Sequence, residues 1–284
     1  MTTINRMHHK ILVFTDIHIK SEGEKIVGYD PLERFDTGLK HALKHHPDAD
    51  HLILTGDLTH NGRPDQFARL KPLLADLPLP VTLMTGNHDR RDTLLEAFPD
   101  QLVTESGHLM RVIDLQGAAP FGPKDRLICL DTLDGPPWRE HHHAGALCRA
   151  RMEWLKEQLD TAGERRVSIF MHHPPFHTGF DGMDAIRMMD HDAFYDLVKQ
   201  YPNVAHIFAG HIHRTISGTA HGIGFTIFKS PTHQMPMMLG ETGYAHSVPE
   251  PGAYGIILLS DEGVIVHSED FDEARRHAVQ GYDD

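Results

Sequence analysis

Val81-Thr82-Leu83-Met84-Thr85-Gly86-Asn87-His88-Asp89 is a short apolar run closed by threonine and followed at once by a polar tetrad. Its length and its turn-forming boundary predict a buried strand over Val81–Thr85 with the tetrad at its carboxyl end. A random chain of this composition contains a given Gly-Asn-His-Asp with a probability of only about 0.003. A tight turn in which glycine supplies an unusual backbone angle is therefore a poor account of it. The arrangement occurs twice more upstream, where His51–Thr55 runs into Gly56-Asp57 and Lys10–Thr15 runs into Asp16-Ile17-His18. If the extended conformation continues past Thr15, Asp16 and His18 project the same way, because strand side chains alternate with period two. Asp-x-His alone is a weak signal, since about two such matches are expected by chance.

Further along, Val167–Met171 ends in His172-His173-Pro174-Pro175, and Ala205–Ala209 ends in Gly210-His211-Ile212-His213. Chance gives a Gly-His-x-His about 0.2 times. Other candidate strands are Arg111–Leu115, Leu127–Asp131, Phe225–Lys229, Tyr254–Leu259 and Val264–Ser268, and candidate helices are Pro31–His45, Pro64–Asp76, Thr93–Phe98, Leu147–Thr161 and His191–Gln200. Pro31 and Pro64 stand where proline is tolerated, in a first helical turn. The first three strands are separated by helices, as in parallel βαβ units, whereas Ser260-Asp261-Glu262-Gly263 joins the last two as a hairpin. The pattern predicts an α/β sandwich: two mixed β-sheets packed face to face and flanked by helices. No repeat, low-complexity tract or long linker divides the chain, so residues 1–284 are expected to form one domain, with the motifs in 10–215 and further strands and a charged tail in 216–284.

Of the 284 residues, 40% are hydrophobic and 24% charged, which excludes disorder. No apolar run approaches the roughly 18–20 residues of a membrane span, and Met1 to Lys10 is polar where a signal peptide has its apolar core, so a cytoplasmic protein without a membrane partner is expected. The two cysteines, Cys129 and Cys148, rule out a disulfide framework. A formal charge of −13 argues against a grip on duplex nucleic acid. The 25 histidines and 40 acidic residues are ample material for metal ligands.

Polar groups just beyond the carboxyl ends of strands are where open α/β sheets gather ligands, and a packed core would not place Asp, Asn and several histidines there unpaired. The set suits two divalent or trivalent transition-metal ions with mixed oxygen and nitrogen ligands. One carboxylate can bridge two cations, and Asp57 is the choice by its place between the other groups. A neutral Asn87 would leave the ions electrophilic. Such a pair clamps a phosphoryl oxygen and yields hydroxide near neutral pH, so phosphoester hydrolysis is the natural chemistry.

These blocks, in order, resemble the calcineurin-like metallophosphoesterase family, over residues 10 to about 215. The resemblance implies one metal on Asp16, His18, Asp57 and His213 and another on Asp57, Asn87, His172 and His211; Fe, Mn, Zn and Co all accept such ligands. It implies that His88 contacts the phosphoryl group and protonates the leaving oxygen, and that His173 is structural. His172-His173-Pro174-Pro175 and the chain length look like the class III cyclic nucleotide phosphodiesterases. Gly23-Glu24-Lys25, Gly62-Arg63-Pro64 and Thr232-His233-Gln234 look like the glycerophosphodiester phosphodiesterase branch, which implies a small phosphodiester substrate and a homo-oligomer. His233 and His60 are candidates to bind a substrate arm, an ordinary turn residue being the alternative for His60. Met235, Met237 and Met238 suit a pocket edge, an oligomer contact or plain loop packing. His141-His142-His143, after Pro136-Pro137, reads as a solvated loop. A nuclease or protein phosphatase is the alternative within enzymes, and an inactive protein-binding scaffold the alternative outside them.

Overall fold

Ile11-Leu12-Val13-Phe14 is wholly buried, and alternation explains how one apolar run serves two faces. Leu12 and Phe14 pack with Phe35, Leu39, Phe67 and Leu70, whereas Ile11 and Val13 pack with Phe170, Phe208 and Phe228 from elsewhere in the chain. The computed structural model describes residues 9–116, 123–135, 143–240, 242–243 and 246–271. In chain order its elements are β1 (His9–Phe14), α1 (Pro31–His45), β2 (His51–Leu54), α2 (Pro64–Leu74), β3 (Val81–Leu83), α3 (Arg91–Ala97), β4 (Arg111–Gln116), β5 (Pro123–Cys129), α4 (Arg149–Asp160), β6 (Arg166–Phe170), α5 (Asp181–Asp184), α6 (His191–Val198), β7 (Val204–Ala209), β8 (Ile216–Ala220), β9 (Ile223–Ile227), β10 (Ala253–Ser260) and β11 (Gly263–Asp270). Asp30 caps α1 by accepting a 2.9 Å hydrogen bond from the Leu32 amide, and Pro31 opens the helix.

One sheet has the order β11-β10-β1-β2-β3 and the other β4-β5-β6-β7-β9-β8, and both are mixed. The β1–β2 and β2–β3 pairs are parallel, and β10–β11 is an antiparallel hairpin, as the βαβ pattern and the Ser260–Gly263 turn require. The inner faces meet through Ile11, Val13, Ile53, Met84, Phe170 and Phe208. The outer faces carry α1 and α2 on the first sheet and α4 and α6 on the second. This is the expected sandwich flanked by helices. No helix among the described residues is long and apolar enough to cross a membrane.

Several boundaries differ from expectation. The strand expected at Leu127–Asp131 runs over Pro123–Cys129, because ion pairs Arg126–Asp114 at 2.7 Å and Arg166–Asp125 at 2.6 Å hold its polar half in the ladder. β8 had no apolar signature, since Ile216-Ser217-Gly218-Thr219-Ala220 is a half-exposed edge. It turns into β9 through His221 and Gly222, both at positive φ, so β9 starts at Ile223 and not at Phe225. The four residues of α5 are too few to show a helical period. His141, His142 and residues 272–284 of the tail lie outside the described residues.

Asp131, just past β5, is wholly buried and ties the site's surroundings together. It accepts from Arg91 Nε at 2.6 Å and Nη2 at 2.8 Å, from Thr85 Oγ1 at 2.8 Å, and from the Leu109 and Leu133 amides at 3.1 Å. Burial pushes its carboxyl up, but the Arg91 and Arg151 guanidiniums outweigh that and hold it below the ordinary range. Asp131→Asn is expected to destabilise the fold by about 3–5 kcal/mol in urea unfolding at pH 7, because it leaves Arg91 uncompensated. Since the folded pKa is depressed, the charge contribution is full above the unfolded carboxyl pKa and is lost as pH falls through the folded value. The gap between wild type and variant should therefore narrow below about pH 4.

Candidate metal centre

Parallel pairing sets Phe14 beside Leu54 and Leu54 beside Leu83, so the chain leaves β1, β2 and β3 along one edge. Phe170 lies beside Phe208 in the second sheet, and the chain leaves β6 and β7 at that same edge of the sandwich. Hydrogen bonds join the sheets there. The His211 amide donates to Asp16 Oδ2 at 3.0 Å, and His172 Nδ1 donates to the Thr55 carbonyl at 3.0 Å. Asp89 staples the second and third loops by accepting from the Gly86, Leu58 and Thr59 amides at 3.0, 3.0 and 2.9 Å. Gly86 is required by close approach, since a Cβ there would collide with the Asp57 carboxylate and amide, and one at Gly56 would lie 2.7 Å from His172 Nδ1.

Six of the seven residues singled out as ligands fall into close groups, and the seventh, Asn87, lines the same cavity as His18, Asp57, His211 and His213. One ligand atom each from Asp16, His18, Asp57 and His213 lie within 4.8 Å of one another, as do those of His172, His173 and His211. Asp57 Oδ2 is 3.5 Å from His18 Nε2 and 3.4 Å from His172 Nε2, which places this carboxylate between the two groups. Asp16 Oδ1 is 3.3 Å from His213 Nε2 and 3.8 Å from His172 Nε2. Neither carboxylate is paired with arginine or lysine among the described residues, although both are at most 2% exposed.

Three observations fit a metal to these residues. His172 Nε2, His211 Nε2 and Asn87 Oδ1 are buried without a hydrogen-bond partner, a costly state unless a cation takes their lone pairs. His172 and His213 donate from Nδ1 to the Thr55 and His233 carbonyls, the arrangement that orients a ligating imidazole and leaves Nε2 bare. Asp16, His18, Asp57, His211 and His213 all hold positive φ, between 48° and 71°; among the described residues only Val27 and His221 are other non-glycine cases. Each such residue costs on the order of 1–3 kcal/mol, and strain concentrated in this way marks a functional site.

Charge follows from burial and neighbours. Burial pushes the Asp57 carboxyl up, but His172 and His88 outweigh it and leave it well below the ordinary range; Asp16 is lowered likewise, chiefly by His213. Burial holds His18 well down and takes His211 to about 3. Burial also lowers His172, but the Asp57 charge overcomes it and raises the imidazole to about 9.

Beside the ligand cluster lies a cavity of about 340 Å³. His88, His60 and His233 all line it. The His88 amide donates to Asp57 Oδ1 at 2.8 Å, and its ring Nδ1 donates to the His60 carbonyl at 2.8 Å. His60 also meets His18, its Nδ1 lying 3.4 Å from His18 Nδ1. His173 is buried with Nδ1 2.8 Å from Thr132 Oγ1, in keeping with a structural role. Met235 lines the cavity, whereas Met237 is 62% exposed. His143 corrects the reading of its run as a solvated loop, for it lines the cavity with Nδ1 3.2 Å from Asn87 Nδ2. Met183, Ile186 and His246 line it as well, and no motif in the sequence marks them.

Residues 9–215 match the sequence profile of the calcineurin-like phosphoesterases. The chain belongs to that family. It is a metal-dependent phosphoesterase, and the cluster above offers the groups to hold its metal. Over 264 residues it is 34% identical to a probable cyclic nucleotide phosphodiesterase of Rhodopseudomonas palustris, covering 92% of each chain. It is 28% identical to a probable glycerophosphodiester phosphodiesterase of Arcobacter nitrofigilis, covering 91% of this chain and 92% of that one. Among solved structures it is similar in fold to a dimetal phosphatase from Danio rerio, with a TM-score of 0.67 at 15% identity and coverage of 93% and 96%.

Proposed function

We propose that this phosphoesterase hydrolyses small phosphodiesters, cyclic nucleotides or glycerophosphodiesters, at a dinuclear centre. Asp16, His18, Asp57 and His213 would hold one ion and Asp57, Asn87, His172 and His211 the other. Two transition-metal ions there, drawn from Fe, Mn, Zn or Co, would supply Lewis-acid charge beside the phosphoryl group and lower the pKa of water. His88, held by its own backbone to Asp57 and by Nδ1 to the His60 carbonyl, lines the cavity and has Nε2 outside both bonds. From there it stabilises charge on the phosphoryl oxygens and gives a proton to the leaving oxygen. His60 and His233 hydrogen-bond an ester arm.

The part of the cavity wall outside the proposed ligands carries the diester reading. It is formed by Met183, Ile186, Ile212 and Met235 together with imidazoles, and no lysine or arginine lines it among the described residues. Burial lowers His60 to about 4 and His233 to about 2, so both are neutral at pH 7. A diester brings one negative charge and two arms that need a mixed apolar and hydrogen-bonding surface. A monoester brings nearly two charges, for which this wall has no fixed cation. The names of the Rhodopseudomonas and Arcobacter relatives support the same substrate class. The reading takes the chain as one catalytic domain over 1–284, since β10 and β11 complete the sheet that begins with β1. It also places the enzyme in the cytoplasm with a small-molecule partner and not duplex nucleic acid, in keeping with the charge of −13. At matched metal loading, kcat/KM for bis(p-nitrophenyl) phosphate should exceed that for p-nitrophenyl phosphate. A monoester preference would sink the diesterase reading.

A further inference from the structure

Asn87 must turn its amide oxygen, and not its nitrogen, toward the ligand cluster if it is to hold a cation. Nothing in its own loop decides between the two, because an amide turned by 180° occupies the same space. The contact that bears on it comes from a residue 56 positions away: Asn87 Nδ2 lies 3.2 Å from His143 Nδ1, and Asn87 Oδ1 is buried with no hydrogen-bond partner. In this orientation the amide nitrogen donates, so His143 Nδ1 accepts, and the ring that fits it is the tautomer whose proton is on Nε2.

The backbone that follows His143 is pinned. The Ala146 amide donates to the Thr132 carbonyl at 2.9 Å, the Met189 amide donates to the Gly145 carbonyl at 2.9 Å, and the Gly145 amide donates to the Arg187 carbonyl at 3.3 Å. Gly145 lies so close to His173 that a Cβ there would come within 2.5 Å of the ring. The buried His173 thus forms the floor on which this segment rests, and His143 reaches Asn87 from a fixed base. His143 also stands 5.7 Å from His88, centroid to centroid, along the cavity wall.

We propose that His143 is a positioning residue: its Nδ1 lone pair holds the Asn87 amide with Oδ1 turned into the ligand cluster and thereby sets the affinity for the cation that Asn87 helps to hold. This rests on the reading of Asn87 as a ligand. Removing such an outer partner costs about 10–100-fold in metal affinity. Leucine at 143 fills the space and offers no acceptor, whereas asparagine places an oxygen near the position of Nδ1.

Cobalt(II) titration of the metal-free full chain, followed by calorimetry and by visible absorption, tests this with thermal melting of each metal-free variant alongside. His143→Leu should weaken one cobalt site about 10–100-fold and change the absorption bands, with an unchanged metal-free melting temperature. His143→Asn should restore the wild-type affinity and spectrum. Wild-type affinity in His143→Leu would overturn the proposal, and so would equal losses in the leucine and asparagine variants. If Asn87→Leu leaves cobalt binding intact, it is the ligand reading of Asn87 that fails, and this proposal fails with it. Intact binding in His143→Leu beside impaired binding in Asn87→Leu refutes the proposal alone.

Discussion

Asp57→Ala is expected to empty both metal positions together and to lower phosphodiester turnover by at least about 10³-fold, beyond the loss of a single preorganised donor. Its Oδ2 faces imidazoles of both ligand groups, at 3.5 Å to His18 and 3.4 Å to His172, so no other side chain can stand in for it. Its Oδ1 accepts from the His88 amide at 2.8 Å, so the substitution also frees the loop that carries Asn87 and His88. Asp57→Asn separates these effects, since an amide oxygen can still accept from that backbone while its charge is gone. Elemental analysis after incubation with manganese, zinc, cobalt or iron at neutral pH reads the outcome. One ion retained at full occupancy in Asp57→Ala would refute the bridging assignment, and near-zero metal in the wild type under every condition would refute the dinuclear reading itself.

His88→Ala should leave the metals bound and reduce turnover by about 10²–10⁴-fold. The hydrogen bond to Asp57 comes from the backbone of residue 88 and not from its ring, so the substitution leaves that bond in place. What is lost is an imidazole whose Nδ1 is committed to the His60 carbonyl and whose Nε2 is free to serve the cavity. If it supplies the proton to the leaving oxygen, the deficit should grow with the pKa of the leaving group, large for alkyl esters and small for nitrophenyl esters. A deficit independent of the leaving group would remove the acid role and leave charge stabilisation alone. Full turnover would remove both.

Much of the site was legible because its chemistry is local to strand ends. Gly56-Asp57, Gly86-Asn87-His88-Asp89 and Gly210-His211-Ile212-His213 each combine a glycine that permits close approach with ligands directly after an apolar run. Both features show in a local window of sequence. Strand alternation and parallel βαβ order then bring those ends to one edge, and α1 began and ended as its proline and periodicity require. The edge strand β8 and the four-residue α5 escaped because a half-exposed Ser-Gly-Thr run and a single helical turn carry almost no periodic signal.

The sequence by itself determined which residues can bind metal, the order in which they occur and the sandwich that gathers them, because these follow from residue type and short-range spacing. Only the tertiary structure decided what each ligand leans on. His143, discounted within a histidine run, reaches Asn87 because Thr132, Arg187, Met189 and His173 hold its segment in place. His60 faces both His18 and the cavity, and Met183, Ile186 and His246 line that cavity. These are contacts between residues distant in the chain. Their energies depend on packing and on which polar atoms are left without water, and neither quantity is written in any local window of sequence.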